Sequence, residues 1–560
     1  MAILSSSGAI VAVAHRAIET AFIAGGGAEQ DPGQWWMAIS AATREVMDVS
    51  NIAPSNIAAI GCTAQWSGTV AVDYRGTPLR PAIIWMDSRG ANDIERQIGG
   101  FPEIMGYQTS KILSWIRLAG GAPGRSGKDP IAHILWVKNN EPELYEATYK
   151  FLEPVDWIGM KLTGLARASY DSICLHWVTD NRDIHNVKYS KRLLDIAGIN
   201  PAKLPELVAT GSIMGYLGDQ AASDMGLPVG VPVVAGSGDV HSAVIGSGAV
   251  DDFDMHLYIG TSSWISCHVP FKKTSVLHNI ASIPSAMPGR YLVADEHETA
   301  GACLDFAIFT LLAGIEGSDT GNVVTGNPTV AEALTVTGAD PGNAQGIDSS
   351  GIEEPGTMKP GTPATRAPTY SRTEERTPSA LYTAMERAAS AAPPGSGGVI
   401  FTPWLNGERS PVDDHTLRAG LHNLSLSTSQ NELIRSIYEG VAFNSKWLMD
   451  AVESFTGRRC KRLAFIGGGA QSAFWARIHA DVLQRDIIPV SDPVLANVRG
   501  AGLLAWLAID RIQPGDIHDM VSTGTRVIPD PDLAPIYESR YRSYIEIYRK
   551  NHGIYRRLNA

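Results

Sequence analysis

The stretch that decides the fold is Val231–Asp239, VPVVAGSGD, in which an apolar run ends in a turn of small residues and a carboxylate. The β-branched residues of the run predict a buried strand. Glycine and serine let the chain turn sharply after it and expose backbone N–H groups at the edge of a sheet, where phosphates often bind. The stretch therefore predicts an α/β domain with a ligand site where this strand ends.

Two further strands end in the same way. His256–Ile259 leads into Gly260-Thr261-Ser262-Ser263, and Arg462–Ile466 leads into Gly467-Gly468-Gly469. Hydroxyl and backbone N–H groups in such turns favour a nucleotide phosphate, and consecutive glycines let a flat ring approach the backbone closely. Each turn is also open to a plainer interpretation, as a simple link between a strand and the next element.

Asp239 is the carboxylate that we expect to do chemistry. A carboxylate at the end of a buried strand is held rigidly enough at a cleft to act as a general base. The local sequence equally supports an N-cap for a helix over Val240–Val250, since aspartate is a favoured cap residue. A hydrolase pair with His241 is a third alternative, but no serine stands in a G-x-S-x-G turn to complete it.

The first hundred residues also alternate between strands and a helix. Asp31-Pro32 predicts the cap and first turn of a helix that runs to about Val49. Strands are predicted where short apolar runs end at turns. These runs are Ala9–Ala14, Ile57–Cys62, Thr69–Asp73 and Pro81–Trp85.

Length and charge exclude several classes of protein. A chain of 560 residues exceeds one typical domain, so two or more are expected. Acidic side chains number 58 and basic ones 46, and the net charge of −12 disfavours a broad nucleic-acid-binding face. The sequence has no run of 18 apolar residues that would predict a membrane span.

The cysteines bear on the compartment. There are five, they lie far apart, and none forms a C-x-x-C pair, so a disulfide framework is disfavoured. The N-terminus lacks the basic start of a signal peptide. We therefore expect a reducing, cytoplasmic location.

Residues 316–377 differ from the rest in composition. They are rich in Gly, Thr, Pro, Ser and Asn and poor in aromatic residues, and they show neither a helical nor a strand period. Such a segment cannot bury enough apolar surface to fold by itself. We predict a disordered insertion.

Two other patterns fail on inspection. Gly124–Asp129, GRSGKD, resembles part of a P-loop, but Ala122 stands where the first glycine belongs and Asp129 replaces the hydroxyl residue after the lysine. Asp295–Glu298, DEHE, offers metal-ligand types, yet adjacent residues of a strand point to opposite faces and do not converge. We therefore expect no P-loop, and a solvated or cleft-edge position for the acidic segment.

The order and spacing of these stretches resemble those of the FGGY carbohydrate kinases, above all their xylulokinase-like members. The resemblance covers most of the chain and rests on a series of motifs. They are GAEQDPGQWW (27–36), IAAIGCTAQWSG (57–68), PLRPAIIWMDSR (78–89), FLEPVDWIGMKLTG (151–164), AGSGDVHSAVIGSG (235–248), YIGTSSW (258–264), TAGACLDF (299–306), PWLNGERSP (403–411), NELIRSIYEGVAF (431–443), IGGGAQSAFWARIHADVL (466–483) and RGAGLLA (499–505).

The resemblance implies an α/β architecture of the actin/hexokinase type, in which two ribonuclease-H-like domains face a central cleft. It implies a sugar-binding domain over residues 1–250, an ATP-binding domain over 251–525 and a helical tail over 526–560. The implied ligands are a small sugar or polyol, ATP and Mg²⁺, with no nucleic acid or membrane as partner. A homodimer is compatible with the resemblance.

The resemblance also implies roles for individual residues. Asp239 would take the proton of the attacking sugar hydroxyl. The residues that would line the sugar are Gln65, Trp66, Ser67, Trp85, Asp239 and Trp264. Those that would border the nucleotide are Thr261 and Ser262 at the phosphates and Gly301, Gly468 and Gly469 at the adenosine. No side chain is implied as a metal ligand, and Mg²⁺ would bridge the phosphate oxygens.

The chain departs from the family pattern at two places that affect function. The family begins with a strand and a D-x-G-T hairpin that contacts ATP phosphates, whereas Met1–Ala14 resembles the strand after that hairpin. We therefore expect one core strand and one phosphate cradle to be missing from residues 1–560. Trp66-Ser67 stands where the xylulokinase pattern has Met-His, and an indole is larger and offers a single donor.

These features predict ATP-dependent phosphorylation of a sugar hydroxyl. The expected substrate is a ketopentose such as xylulose or a related polyol. The alternative is a catalytically impaired sugar-binding or regulatory relative that lacks the first phosphate loop.

Overall fold

The computed structural model describes residues 1–275, 280–312 and 379–559. The insertion predicted over residues 316–377 lies outside these ranges. We call residues 1–250 the first half and residues 251–559 the second half. None of the described helices combines the length and apolar character needed to cross a bilayer.

The first half alternates short strands with helices. Its strands are β1 Ala2–Leu4, β2 Ile10–Val13, β3 Ala21–Ile23, β4 Gly27–Gln30, β5 Thr63–Ala64, β6 Val70–Val72, β7 Ala82–Ile83, β8 Glu103–Ile104, β9 Tyr107–Gln108, β10 Lys150–Leu152, β11 Arg167–Ser169, β12 Thr179–Asp180, β13 Lys188–Tyr189, β14 Glu206–Val208, β15 Ile213–Tyr216, β16 Pro232–Val234 and β17 Ser237–Gly238. Its helices are α1 Pro32–Ser50, α2 Ala91–Ile98, α3 Thr109–Leu118, α4 Pro130–Asn140, α5 Pro142–Ala147, α6 Pro154–Thr163, α7 Lys191–Ala197, α8 Asp219–Met225 and α9 Asp239–Gly246.

The helix predicted from Asp31-Pro32 is confirmed as α1. The side chain of Asp31 accepts a hydrogen bond from the backbone N–H of Gly33 at 2.8 Å, and the helix ends at Asn51 in a left-handed conformation. The strands predicted over Ala9–Ala14, Thr69–Asp73 and Pro81–Trp85 are confirmed as β2, β6 and β7.

The strand predicted over Ile57–Cys62 is displaced. Only Thr63–Ala64 forms a regular strand, β5, although Ile60 already exchanges backbone hydrogen bonds with Pro232 and Val234. The run thus pairs with β16 only at Ile60, and regular pairing, with β17, begins at Thr63.

The sheet of the first half is divided into short pieces. β1 pairs antiparallel with β2, and β5 pairs parallel with β17, but among the strands that the structure describes none joins β1 to β5. A cavity of about 370 Å³ is lined from both sides, by Met1 before β1 and by Ala64 and Gln65 at β5.

The second half is built on one large sheet. Its strands are β18 Met255–Ile259, β19 Ser263–Val269, β20 Thr274–Ser275, β21 Ile280–Pro284, β22 Tyr291–His297, β23 Ile400–Thr402, β24 Gly420–His422, β25 Arg462–Ile466 and β26 Asp486–Pro489. Its helices are α10 Ala302–Phe306, α11 Ser379–Ser390, α12 Gln430–Thr456, α13 Ala473–Leu483, α14 Ala496–Ala508, α15 Ile517–Met520 and α16 Ala534–Asn559. The sheet has seven strands in the order β20-β21-β22-β19-β18-β25-β26.

Two helices join the halves. α9 of the first half packs against α14 of the second, and the backbones approach so closely that a Cβ on Gly246 would lie 1.8 Å from the carbonyl oxygen of Ala496. A shared core surrounds this crossing and includes Trp66, Trp264 and Leu503. The position of α9, which begins at the candidate catalytic residue, is therefore set by both halves.

The C-terminal segment belongs to the core of the second half. Helix α16 buries Tyr537, Tyr541 and Tyr544 against a cluster that also contains Trp404. The hydroxyl of Tyr537 donates to Oε1 of Glu439 at 3.0 Å. Within this segment the helix covers Ala534–Asn559.

Candidate active site

The candidate catalytic carboxylate lies where two parallel strands end. β17 runs parallel to β5, with Gly238 opposite Ala64, so both strands end at the same edge. Asp239 follows β17 as the first residue of α9, and the turn Gln65–Gly68 follows β5. Since ligands of open α/β sheets bind outside the carboxyl ends of the strands, this edge is where a substrate is expected.

Backbone donors fix the Asp239 carboxylate. The N–H of Val240 donates to Oδ1 at 2.9 Å, and the N–H of Trp66 also donates to the carboxylate. The N-cap of α9 is Gly238, and the helix ends at Gly246, so the cap role for Asp239 and the helix to Val250 are both wrong. The side chain remains partly exposed, as a group that meets a substrate must be.

The surroundings of Asp239 suit a base that works near neutral pH. Burial raises the pKa of Asp239 to about 7, and the negative charge of Glu296 acts in the same direction. The hydrogen bonds from Val240 and Trp66 oppose this shift only in part. Proton transfer is most efficient when the pKa of the base lies near the working pH.

The side chains of the turn after β5 point in different directions. Gln65 donates from Nε2 to Oε1 of Gln30 at 2.7 Å and lines the cavity next to β1. The indole of Trp66 is 8% exposed and donates to the carbonyl of Ser172 at 3.1 Å. Trp66 thus supports the turn from behind, while Ser67 stays partly exposed on it.

The two remaining tryptophans expected at the sugar also differ in whether they are exposed or belong to the core. Trp85 is partly exposed, and its ring faces the guanidinium of Arg409 at 5.6 Å, across the division between the halves. Trp264 is 6% exposed, stacks on Tyr258 with ring centres 3.7 Å apart and donates to Nε2 of His256 at 3.0 Å. Trp85 therefore reaches the cleft, whereas Trp264 belongs to the shared core.

The residues expected at the nucleotide converge on one edge of the large sheet. β18 and β25 are parallel neighbours, with Tyr258 opposite Ile466, so the turns that follow them lie side by side. Gly301 joins them because its N–H donates to the carbonyl of Gly260 at 2.8 Å. A Cβ on Gly301 would lie 2.3 Å from the same oxygen, so only glycine fits this approach.

The exposed face of this edge can receive a ligand. Thr261 is exposed and Ser262 partly exposed, and both follow β18 directly. A Cβ on Gly468 would meet no atom within 4 Å, whereas one on Gly469 would lie 2.7 Å from the side chain of Ile259. The backbone of Gly468 is therefore open to solvent. Gly469 is needed for close packing, because a side chain there would clash with Ile259.

A charged cluster connects the halves, and the sequence analysis singled out only its two glutamates, which belong to the acidic segment over 295–298. Arg409 pairs with Glu296, Nη1 to Oε2 at 2.6 Å, and with Glu298. Lys128 of the first half reaches Oε1 of Glu298 at 3.2 Å. The cluster lies beside the candidate base, since the charge of Glu296 raises the pKa of Asp239.

The acidic segment over 295–298 behaves as an alternating strand. Asp295 and His297 are buried, and Glu296 and Glu298 reach Arg409. The cleft-edge position expected for this segment is therefore that of Glu296 and Glu298, whereas Asp295 and His297 are buried.

Arg409 is held in place by a buried neighbour. Glu408 accepts hydrogen bonds from the backbone N–H groups of Glu298 and Arg409 at 3.0 and 2.9 Å, and from Asn444 at 2.6 Å. Burial raises the pKa of Glu408 to about 8. The signal that could have revealed this pair is the sequence GERSP, in which two opposite charges stand between a glycine and a Ser-Pro pair.

The structure describes one group of side chains close enough to share a metal ion. Asp251, Asp254 and His518 meet this condition, and Asp254 directly precedes β18, at the end opposite the Gly260 turn. The cleft itself offers separate carboxylates, Asp239 and Glu296, of the oxygen type that Mg²⁺ takes.

Comparison with known proteins agrees with this geometry. The chain is 24% identical over 527 residues to xylulose kinase of Escherichia coli (strain K12), covering 93% of this chain and 90% of that protein. The structure of gluconate kinase from Lactobacillus acidophilus superposes with a TM-score of 0.77 at 20% identity, covering 100% of this chain and 96% of the other. Plasmodium falciparum glycerol kinase with ADP gives a TM-score of 0.72 at 16% identity, with coverages of 97% and 95%.

The family match is direct. Residues 1–246 match the N-terminal domain of the FGGY family of carbohydrate kinases, and residues 364–509 match its C-terminal domain. Together these matches span more than half of the chain, which therefore belongs to the FGGY carbohydrate kinases, a family of ATP-dependent sugar kinases. The predicted fold, two actin-like α/β domains around a cleft, is confirmed.

Proposed function

We propose that this chain transfers the γ-phosphoryl group of ATP to a hydroxyl of a ketopentose, such as xylulose, or of a related polyol. The observation that carries the proposal is the partly exposed Asp239 carboxylate, fixed by two backbone N–H groups where the halves meet. At that place it can take the proton of a sugar hydroxyl while the oxygen attacks phosphorus.

The proposed division of labour follows the two halves. Residues 1–250 hold the sugar, residues 251–525 hold the nucleotide, and residues 526–560 complete the core of the second half. Ser67 and Trp85 line the sugar directly, since both are partly exposed. Gln65, Trp66 and Trp264 act indirectly. Their hydrogen bonds hold the turn after β5 and the shared core in place.

The nucleotide would lie along the paired turns of the large sheet. Thr261 and Ser262 are offered to the phosphates, and Gly301, Gly468 and Gly469 border the adenosine. Mg²⁺ bound with ATP would bridge phosphate oxygens and offset their charge. A cytoplasmic enzyme accords with the five cysteines, all of which carry free thiols.

Phosphorus NMR tests the proposal directly. The chain is incubated with ATP, Mg²⁺ and each of a panel of ketopentoses and polyols. The expected result is a new phosphate-ester signal that grows with ADP and requires the sugar. Inorganic phosphate as the sole product, at the same rate with and without sugar, would contradict the proposal.

The rate should depend on pH through Asp239. The base works as the carboxylate, and its pKa is raised to about 7 by burial and by Glu296. We expect kcat/KM to rise with pH through about 7 and to level off above it. Removing the nearby charge in Glu296→Gln lowers this pKa, so the rise should move to lower pH.

The direction of that shift is the informative measurement. A structural defect in Glu296→Gln would lower the plateau without moving the midpoint. A midpoint that stays in place, or moves to higher pH, would show that the titrating group is not Asp239 beside Glu296.

Gly468→Val tests where the nucleotide binds. A Cβ at this exposed position meets no protein atom within 4 Å, so the free energy of unfolding should stay within about 0.5 kcal/mol of wild type. It projects into the space proposed for the adenosine, so KM for ATP should rise about tenfold or more while KM for the sugar stays unchanged. Gly553→Val is the control, because its Cβ also meets nothing within 4 Å. An unchanged KM for ATP in Gly468→Val would show that the adenosine does not bind at this turn.

A further inference from the structure

Asp129 has an unexpected environment for its place in the sequence. It precedes Pro130 at the start of α4, which is the position of a helix cap, yet its side chain makes no capping hydrogen bond. Instead Oδ2 accepts from the backbone N–H of Gly124 at 2.7 Å and from Nε1 of Trp177 at 2.8 Å. Within the described part of the chain, no hydrogen bond reaches Oδ1, and the side chain is partly exposed.

The donor from Trp177 is itself rigidly placed. Trp177 has a left-handed backbone conformation (φ 54°) and is 8% exposed. Its ring lies so close to Gly121 that a Cβ there would meet it at 2.7 Å. A side chain held at one oxygen by two fixed donors presents its other oxygen in a defined direction, which is how a protein prepares a ligand contact.

Asp129 belongs to the same site as Asp239. The turn after β5 contacts the segments that carry both, since the N–H of Trp66 donates to the Asp239 carboxylate and Oγ of Ser67 donates to the carbonyl of Lys128, the residue before Asp129, at 2.8 Å. The negative charge of Glu296 also raises the pKa of both carboxylates. The two aspartates thus stand at the same partly exposed turn, on neighbouring segments of the first half.

The charges around Asp129 disfavour the binding of an anion. Burial raises the pKa of Asp129 to about 6, so the group is a carboxylate at neutral pH. Lys128, its neighbour in the chain, and Arg409, whose charge acts on it, are already paired with Glu298 and Glu296. A hydroxyl can donate to Oδ1, whereas a second carboxylate would meet repulsion that no free cation of this cluster offsets.

We propose that Asp129 is a second sugar-contacting carboxylate, besides Asp239, which accepts a hydrogen bond from a substrate hydroxyl through Oδ1 and selects neutral ketoses and polyols against sugar acids. The inference rests on the proposed function in that it takes this cleft as the sugar site. It adds a substrate class, and it distinguishes this chain from relatives named as gluconate kinases.

Two variants separate the hydrogen bond from the charge. Xylitol and xylonate are the probes, since they share a carbon skeleton and differ in a carboxylate at one end. Asp129→Ala removes the acceptor, so xylitol binding should weaken about 10- to 100-fold. Asp129→Asn keeps the shape and removes the charge, so the preference for xylitol over xylonate should shrink at least about tenfold.

Binding is measured by calorimetry without ATP, and turnover of the same ligands in parallel. Asp171→Asn is the control, a buried carboxylate that accepts from Thr210 at 3.0 Å and has no cleft charge among its neighbours. Its preference ratio should equal that of wild type. A purely structural role of Asp129 would weaken both ligands and ATP alike and leave the ratio unchanged.

The outcomes are distinct. A wild type that prefers xylonate, binds neither probe, or keeps its preference in Asp129→Asn overturns the proposal for Asp129. A wild type that prefers xylitol and loses the preference in Asp129→Asn, yet never phosphorylates any sugar, upholds the contact and overturns the proposed kinase function alone.

Discussion

Replacing Asp239 with asparagine is expected to lower kcat about 10²- to 10⁴-fold, the usual contribution of a general base. The amide can still accept the hydrogen bond that Val240 donates at 2.9 Å, so the geometry of the site is preserved. It cannot take the proton of a sugar hydroxyl. KM for the sugar should therefore change little, and steady-state kinetics over the sugar and ATP concentrations measure the separation.

The loss of activity can be told apart from unfolding. The pKa of Asp239 is raised from 3.8 to about 7 by burial and Glu296, so ionising this carboxyl costs folding free energy as the pH rises through that interval. At pH 8 the asparagine variant avoids this cost and should melt no lower than wild type. Asp219→Asn is the matched control, since Asp219 also begins a helix but is exposed on α8. An Asp239→Asn variant within about threefold of wild-type kcat would remove Asp239 from the chemistry.

Gly500→Ala is expected to destabilise the protein by about 3 kcal/mol or more, because overpacking against backbone has no cheap relief. A Cβ at this position of α14 would lie 1.8 Å from the carbonyl oxygen of Ser242 in α9. The helices must separate, and α9 begins at Asp239, so activity should fall together with stability. Urea and thermal unfolding measure the first effect, and kcat/KM the second.

Gly515→Ala provides the control for this prediction. Gly515 is exposed, and a Cβ on it would meet no atom within 4 Å. Its replacement should change the free energy of unfolding by no more than about 0.5 kcal/mol. A Gly500→Ala variant that unfolds within about 1 kcal/mol of wild type would mean that α9 and α14 do not cross as closely as described.

Local patterns in the sequence were sufficient for two neighbouring strands of the large sheet, β18 and β25. The run RLAFI coincides with β25, and the strand before Gly260 begins one residue earlier than predicted. Each is a short apolar run that leads into a glycine turn, so the local sequence indicates where the strand ends. The fold class follows from several such runs in order.

The candidate site could be predicted only in part. Asp239 stands at a strand end that the sequence marks, but whether Trp66 faces a sugar or the core depends on Ser172, which is distant in sequence. Trp264 is likewise decided by its stacking on Tyr258. The spacing along the chain cannot reveal such contacts, because they form only when the two halves pack.

Charged residues of the cleft were missed for the same reason. Arg409 gains its position from Glu408, Glu296 and Glu298, which come from separate segments. Asp129 precedes Pro130 at the start of a helix, but in the structure its side chain turns away from that helix and accepts a hydrogen bond from Trp177. The local sequence does not reveal such tertiary contacts.

The most direct test of the central claim is the sugar dependence of ADP release, measured side by side in wild type and Asp239→Asn over a panel of ketopentoses, polyols and glycerol. The account predicts that at least one sugar stimulates ADP release by the wild type, that the product is the phosphorylated sugar, and that the variant loses the stimulation while still binding that sugar. Sugar-stimulated release that persists unchanged in Asp239→Asn would contradict the account.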